Sequence, residues 1–171
     1  MIDECGSEAI RLVSLKEYDV LDTGQEAEFD RIVAEAVELM GVPIALISLL
    51  DERRQWFKAR IGLDVCETSR SSAFCDHTIR NCEVMVVPDA ARDARFATNP
   101  LVTGAPNIRF YAGAPLKAAA GVRLGSLCVI DRWPRSGVTP LQHRQLEELA
   151  SRTVAALELR RTRLTPPALA A

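Results

Sequence analysis

Residues 43–50 read Pro-Ile-Ala-Leu-Ile-Ser-Leu-Leu, an apolar run interrupted only by Ser48. The run is far shorter than the ~20 residues that cross a bilayer, and its length is typical of a strand. Successive side chains of a strand point to opposite faces, and in this run both sets are apolar. The run therefore predicts a central strand that is covered on both faces. The rest of the chain has to supply the two covering layers.

A second strand follows in a hairpin. Residues 51–53 form a short polar turn, and residues 55–60 then alternate between apolar and polar side chains. This alternation predicts an antiparallel partner for the first strand. Trp56 and Phe57 face opposite sides of the second strand, so at most one of them lines a pocket on either face.

Three segments carry helical patterns. Apolar residues recur at helical spacing over residues 29–40, with Gly41 as the predicted C-cap and Thr23 as the predicted N-cap. A shorter amphipathic helix is predicted within the lead-in of residues 1–22. The last helix is predicted over residues 139–164, where its first residue is the N-cap. Its apolar stripe is wide enough to serve a sheet and a partner helix together.

The middle of the chain, residues 62–103, is mostly irregular. It opens with a stretch that has no pattern, and a short helix follows over residues 73–80 with Ser71 or Ser72 as its N-cap. Residues 83–87 predict a short strand. The remainder reads as a loop with one helical turn, which the Asn-Pro pair near its end indicates.

A second hairpin completes the predicted sheet. Residues 108–116 alternate, and residues 125–131 form another apolar strand after a short connection. Strands joined by short turns predict a mostly antiparallel sheet. The terminal helices have to bury their apolar stripes on one face, and the irregular middle has to cover the other. The predicted fold class is therefore α+β.

Composition and charge exclude several classes of protein. The 171 residues predict a single domain over residues 1–164 with a flexible tail at residues 165–171. The 21 basic side chains against 23 acidic ones argue against nucleic-acid binding. The chain lacks a membrane-length run, and Asp3 and Glu4 do not fit a signal peptide. Five cysteines without a Cys-x-x-Cys pair predict reduced thiols in a cytoplasmic protein, with no structural zinc site.

Several blocks of sequence occur in a characteristic order. They are Tyr18-Asp-Val-Leu-Asp-Thr23 with Phe29-Asp30, residues 43–51, residues 55–59, residues 73–77, Asp89 with Asp93, Arg95, Phe96, Asn99 and Pro100, residues 110–116, and residues 125–131. Together they resemble a GAF domain, the small-molecule sensory module that precedes bacterial histidine kinases and diguanylate cyclases. The resemblance spans residues 11–156.

The resemblance carries expectations about the fold and the site. It implies a central antiparallel sheet of five or six strands with N- and C-terminal helices on one face. On the other face it implies a ligand pocket covered by loops and short helices. The marks of cyclic-nucleotide-binding, phytochrome and free methionine sulfoxide reductase members of this fold are absent from the sequence. The resemblance therefore implies a ligand without naming it.

The residues expected at this pocket come from several segments. The resemblance places Asp93, Phe96 and Asn99 over the pocket, and alternation puts Arg109 and Tyr111 on one face of their strand. Tyr111 suits a pocket wall, and Arg109 either meets an anionic ligand or is an edge-strand charge. The ligand-binding candidates are Phe57, Phe74, Cys75, His77, Asp93, Phe96, Asn99, Arg109, Tyr111 and Cys128.

Cys75-Asp76-His77 is the most suggestive cluster in the sequence. Cys75, near a predicted helix N-terminus, is either a thiolate nucleophile or redox sensor, or a small buried filler. His77 either lines the pocket or, as in haem-binding GAF sensors, ligates a haem. Cys128 lies in mid-strand as core filler, from where it can approach Cys75 across the pocket.

These patterns predict a sensory domain without catalytic residues or a metal site. A small molecule would order residues 62–103 and bias the packing of the terminal helices, through which two copies form a homodimer. A histidine kinase or cyclase would read the change as output. Two alternatives stay open. One is a thiol enzyme or redox switch that uses Cys75 with Cys128 or Cys82, and the other is a structural dimerisation module with a filled pocket.

Overall fold

A computed structural model describes residues 8–164 of the chain. The predicted tail at residues 165–171, and residues 1–7 of the predicted lead-in with Cys5, lie outside this range. The elements are α1 (Glu8–Glu17), α2 (Ala27–Met40), β1 (Ile44–Leu50), β2 (Arg54–Ile61), β3 (Glu67–Ser69), α3 (Phe74–Thr78), β4 (Met85–Val87), α4 (Pro100–Thr103), β5 (Phe110–Lys117), β6 (Arg123–Asp131) and α5 (Pro140–Leu164). None of these helices combines the length and the apolar character needed to cross a membrane.

The six strands form one antiparallel sheet in the order β3-β2-β1-β6-β5-β4. Both predicted hairpins, β1 with β2 and β5 with β6, are present, and the predicted α+β class is confirmed. The short strand β3 lies in the stretch that the sequence reading assigned as irregular. It has only three residues at a sheet edge, and such a short segment shows no alternation to recognise.

The central strands β1 and β6 are buried along their whole length. Side chains of β1 alternate between two apolar clusters, with Ile47 on the side of the terminal helices and Leu46 on the opposite side. Gly125 of β6 pairs with Leu49, and its backbone lies directly against the Ser48 carbonyl. The prediction of a central strand covered on both faces is confirmed.

The helix layer covers one face through α2 and α5, with Phe29, Val33, Leu146 and Leu157 among its buried side chains. Gly41 ends α2 in the left-handed conformation, as the sequence indicates.

The predicted N-cap of α2 is wrong. Thr23 donates its hydroxyl to the Val20 carbonyl at 2.6 Å and accepts from the buried ammonium group of Lys58 at 3.0 Å. Since that hydroxyl is already engaged, α2 begins four residues later, at Ala27, after an extended Glu26.

The N-terminus of α5 follows the sequence closely. Thr139 Oγ1 accepts from the backbone N–H of Gln142 at 3.2 Å, and the Gln142 side chain accepts from the Thr139 N–H at 2.9 Å. This reciprocal pair is a capping box, which satisfies two donors at the start of the helix. It anchors a helix of 25 residues that runs to Leu164.

Residues 62–109 supply the two edge strands β3 and β4 and, with the helices and turns around them, cover the other face; we call this segment the lid. Its short helix α3 starts at Phe74, and neither Ser71 nor Ser72 caps it. The two serines belong to a 3-10 turn at Arg70–Ser72, so Ala73 precedes the helix instead. The lid therefore covers the sheet as predicted, although its local caps differ from those expected.

Gly125→Ala tests the close approach of the central strands. A Cβ at this position would overlap the Ser48 carbonyl group, so the strands would have to separate. We expect a loss of about 2–3 kcal/mol in the free energy of unfolding, measured by urea denaturation. The matched control is Gly24→Ala, where a Cβ meets nothing within 4 Å. A stability for Gly125→Ala equal to that of the control would contradict this packing.

Candidate functional site

The predicted pocket residues divide into a buried group and a rim. Six of the ten are at most 2% exposed and lie together in the apolar cluster between the sheet and the lid. This buried group consists of Phe57, Phe74, Cys75, Phe96, Tyr111 and Cys128. His77, Asp93, Asn99 and Arg109 are half-buried at the edge of the lid. The structure thus brings together residues from β2, the lid, β5 and β6.

Aromatic rings fill the centre of this layer. The rings of Phe74 and Phe96 stack with centroids 4.0 Å apart and planes within 9°. Tyr111 lies 5.2 Å from Phe74 in a tilted arrangement. The resemblance implied a ligand pocket at these side chains. Instead they contact one another directly, so the described residues form a packed layer where the pocket was expected.

The rim residues hold the lid together. Asn99 caps α4 by accepting from the Leu101 N–H at 2.9 Å, and its side-chain amide donates to the Ser72 carbonyl at 3.0 Å. Arg109 donates to the carbonyl groups of Val102 and Ile108, both at 2.9 Å. Both side chains therefore bind backbone groups within the lid.

Asp93 also has an internal partner. Its carboxylate accepts two hydrogen bonds from the Arg95 guanidinium, at 2.9 and 2.6 Å, and a third from the Arg95 backbone N–H. The Arg95 side chain holds the pKa of Asp93 below its usual range. The Arg95 guanidinium also lies over the Phe96 ring at 5.0 Å, which ties the ion pair to the aromatic stack.

His77 packs its ring edge-on against Phe96, with centroids 4.8 Å apart. Burial and the neighbouring positive charge of Arg80 lower the pKa of His77, so the ring is neutral at pH 7. The other histidine, His143, lies on α5 beside Glu147. A haem at His77 remains a prediction from the sequence.

Two cysteines meet at the base of the layer. The Sγ atoms of Cys75 on α3 and Cys128 on β6 are 3.8 Å apart. The Tyr111 hydroxyl donates to Cys75 Sγ at 3.4 Å and pairs with Thr78 Oγ1 at 2.7 Å. Cys82, which the sequence reading considered as another partner, is exposed and accepts from Arg123 instead.

The two thiols differ in acidity. Burial opposes ionisation of Cys75, but hydrogen bonds from Cys128, Ser126, Tyr111 and Ser48 outweigh it and lower the pKa of Cys75 to about 7. The hydrogen bond to Cys75 and burial together raise the pKa of Cys128 well above its ordinary value. Burial likewise raises the pKa of Tyr111, and the nearby Cys75 charge adds to this effect. Cys75 is therefore the more acidic thiol of the pair.

Sequence reasoning missed Thr78 and Ser126 in this group. Thr78 follows Cys75 by three positions on a helix, and Ser126 precedes Cys128 by two positions on a strand. Both spacings put the pairs of side chains on a common face. The spacing in the sequence could therefore have identified Thr78 and Ser126 once Cys75 and Cys128 were considered as a pair.

An ion-pair chain links the lid to α1. Asp76 accepts from Arg70 Nε at 2.8 Å, and Arg70 Nη1 donates to Glu8 at 2.6 Å. The pKa of Glu8 is lowered to about 2, mainly by its hydrogen bonds from Arg11. Burial opposes this shift, and the hydrogen bond from Arg70 adds to it. Residues 8–164 contain no group of three or more acidic, His or Cys side chains placed to hold a metal ion.

A shallow groove of about 400 Å³ lies on the outer side of α2 and α5. Ile32, Ala155, Ala156 and Leu159 form its apolar floor, and Leu159 is 45% exposed. Charged side chains border it, namely Glu28, Arg31 and Arg152. The groove is remote from the aromatic stack because the sheet and the helix layer lie between them.

Comparison with known proteins gives the family and the fold. The profile of the GAF domain family matches residues 25–157. A cyclic di-GMP phosphodiesterase of Pseudomonas aeruginosa is 45% identical over 152 residues, which cover 89% of this chain and 26% of that protein. The chain thus spans about a quarter of the length of this curated relative.

Solved structures agree in fold. The GAF domain of an Acinetobacter phosphoenolpyruvate-protein phosphotransferase has a TM-score of 0.68 at 19% identity, covering 94% of this chain and 99% of that chain. The corresponding domain from Coxiella burnetii has a TM-score of 0.67 at 14% identity, covering 92% and 98%. At these identities the likeness concerns the fold alone.

Phe96→Ala distinguishes a packed layer from a pocket wall. Because Phe96 is fully buried against Phe74 and His77, its removal leaves a cavity, and we expect a loss of about 3–5 kcal/mol in the free energy of unfolding. Trp133→Ala is the control, since Trp133 is 78% exposed and should cost little. Thermal and urea denaturation measure both variants. A loss below about 1 kcal/mol for Phe96→Ala would indicate a ring beside an open space.

Proposed function

This chain belongs to the GAF domain family, a family of sensory modules in signal transduction, and we propose that it is the regulatory domain of a cyclic di-GMP phosphodiesterase. In this proposal two copies pair along α2 and α5, and α5 passes a change in either copy to the catalytic part. The exposed apolar groove between α2 and α5 is the observation that carries the proposal. The relative in Pseudomonas aeruginosa favours a phosphodiesterase over the kinase or cyclase output that the sequence reading considered.

The groove has the properties of a symmetric helix interface. Ala155 and Ala156 are small enough for a second helix to approach closely, and Leu159 projects from the same surface. In a twofold dimer each copy presents the same patch to the other. The acidic Glu28 and the basic Arg31 at its border let the two copies meet with complementary charge.

The far half of α5 is fixed to the start of the domain. Arg160 donates to the backbone carbonyls of Tyr18 and Asp19, at 3.1 and 2.9 Å, and to the Glu26 carboxylate at 2.8 Å. The Tyr18 hydroxyl also donates to Glu158. These bonds join α5 to the segment between α1 and α2, so a displacement of that segment reaches α5 directly.

The packing of the lid limits how a small molecule can act on this domain. A ligand that binds on the second face has to displace the stacked rings of Phe74 and Phe96, because their side chains occupy that space. The proposed domain therefore responds to changes in how the lid packs, and a preformed small-molecule pocket is not required. A binding ligand shifts the lid only by its differential affinity for the two arrangements.

Leu159→Arg tests the proposed dimer. We expect the unchanged chain to sediment as a dimer in analytical ultracentrifugation, because its apolar groove is covered by the second copy. We expect Leu159→Arg to sediment as a folded monomer with an unchanged circular dichroism spectrum, because a buried, unpaired charge opposes association. Leu141→Arg is the matched control, since Leu141 is 57% exposed on the same helix but outside the groove. The proposal fails if the unchanged chain is a monomer at high concentration, or if Leu159→Arg remains a dimer.

A chimaera tests the proposed output. This chain replaces the matching segment of the Pseudomonas aeruginosa phosphodiesterase, and the rate of cyclic di-GMP hydrolysis is measured. We expect Leu159→Arg to change the rate about fivefold or more, and Leu141→Arg to leave it unchanged. Equal rates in the chimaera and both variants would contradict the proposed coupling, even if the dimer is found.

A further inference from the structure

The buried sulfur atoms of Cys75 and Cys128 join the lid to the centre of the sheet. Their Sγ atoms are 3.8 Å apart, although the residues are 53 positions apart in the chain. Both side chains are at most 2% exposed, and they lie on α3 and β6 respectively. A disulfide needs an S–S distance of about 2.05 Å, so the sulfurs have to approach by less than about 2 Å.

The surroundings favour an anionic sulfur at Cys75. Thr78, the Tyr111 hydroxyl and Cys75 Sγ form a continuous hydrogen-bonded chain. The Ser126 hydroxyl is also buried, and it has no hydrogen-bond partner. A thiolate at Cys75 would offer this hydroxyl an acceptor, and Ser126 is among the groups that lower the pKa of Cys75. A buried hydroxyl without a partner beside the sulfurs therefore favours the anionic form of Cys75.

We propose that Cys75 and Cys128 form a redox site at which a hydroperoxide produces a reversible disulfide between the lid and β6. The Cys75 thiolate attacks the terminal oxygen of the hydroperoxide and the O–O bond breaks, so that a sulfenic acid forms and hydroxide or alkoxide leaves. The leaving group takes up the proton that Cys75 released on ionising and departs as water or alcohol. The Cys128 sulfur then attacks the sulfenic sulfur, the S–S bond forms, and the hydroxyl leaves as water with the Cys128 proton. Two electrons pass from the sulfurs to the peroxide, and a dithiol reductant reverses the step.

The site is connected to the terminal helices. Asp76 follows Cys75 directly in α3 and is the partner of Arg70, which in turn binds Glu8 of α1. When the disulfide draws Cys75 toward β6, the Asp76 carboxylate moves with it, and the ion pair with α1 has to adjust. This inference goes beyond the proposed function, because the disulfide forms whether or not the domain dimerises.

Peptide mapping after peroxide treatment tests the disulfide. In a variant with Cys5, Cys66 and Cys82 replaced by serine, only the two buried thiols remain. Trypsin cuts after Arg70, Arg80, Arg123 and Arg132, so Cys75 lies in the peptide of residues 71–80 and Cys128 in that of residues 124–132. We expect hydrogen peroxide to link these peptides with the loss of two hydrogen atoms, and dithiothreitol to separate them. The oxidised protein should melt roughly 5–15 °C higher than the reduced one.

Single substitutions and the unchanged chain complete the test. Cys75→Ser and Cys128→Ser in the same background should each abolish the link and the rise in melting temperature. If the triple variant folds poorly, the same two peptides are mapped in the unchanged chain after its exposed thiols are alkylated. The proposal is overturned if Cys75 proceeds to a sulfinic acid while Cys128 stays reduced. It is also overturned if the peptides link only in urea, if Cys66 or Cys82 is the partner, or if both thiols survive the treatment.

Discussion

The stacked rings of Phe74 and Phe96, together with the contact of Phe74 with Tyr111 on β5, hold the lid against a sheet whose central strands are apolar on both sides. Neither face of β1 and β6 is exposed, so the sheet needs both the helix layer and the lid to cover it. The helix layer is built from long helices, whereas the lid consists of two helices of four and five residues, short strands and turns. Such short elements have little stability of their own, so their contacts with Tyr111 and the sheet have to hold them.

Much of the architecture could be predicted from the sequence. The apolar run at residues 43–50, the alternation around Tyr111 and the Gly41 and Thr139 caps each predicted a feature that the structure contains. These signals are local, because a few neighbouring residues determine them. On β5 the alternation correctly separated Phe110, which faces the helices, from Tyr111, which faces the lid.

The packed interior of the lid could not be predicted in the same way. Whether Phe74 and Phe96 line a hollow or fill it depends on the volume enclosed by segments distant in the chain, and residue type does not specify that volume. Thr23 was wrongly predicted as an N-cap for a similar reason, since its hydroxyl accepts a hydrogen bond from Lys58 on β2, which is distant in the chain. Arg109, which was predicted on a strand, and Asn99 both bind carbonyl groups of the lid, and those carbonyls belong to turns without a recognisable pattern.

The two faces of the sheet have different proposed roles. The outer surface of α2 and α5 presents an apolar groove, which suits association between copies of the domain. The lid face contains the thiols, buried beneath an aromatic layer. The ion-pair chain from Asp76 through Arg70 to Glu8 runs between the lid and α1, so the two faces are physically connected at the edge of the sheet. Coupling along this chain requires α3 to have two arrangements that both faces can bias.

Native-state hydrogen exchange of the ligand-free protein tests most directly whether the lid is closed by its own side chains. The backbone N–H groups of Ile79, Phe96 and Val102 donate within the lid, and those of β1 and β6 donate within the sheet. If side chains fill the layer, these lid amides are protected from exchange without any added small molecule. Exchange of the lid amides at the rate of exposed loops, while β1 and β6 remain protected, would contradict the account.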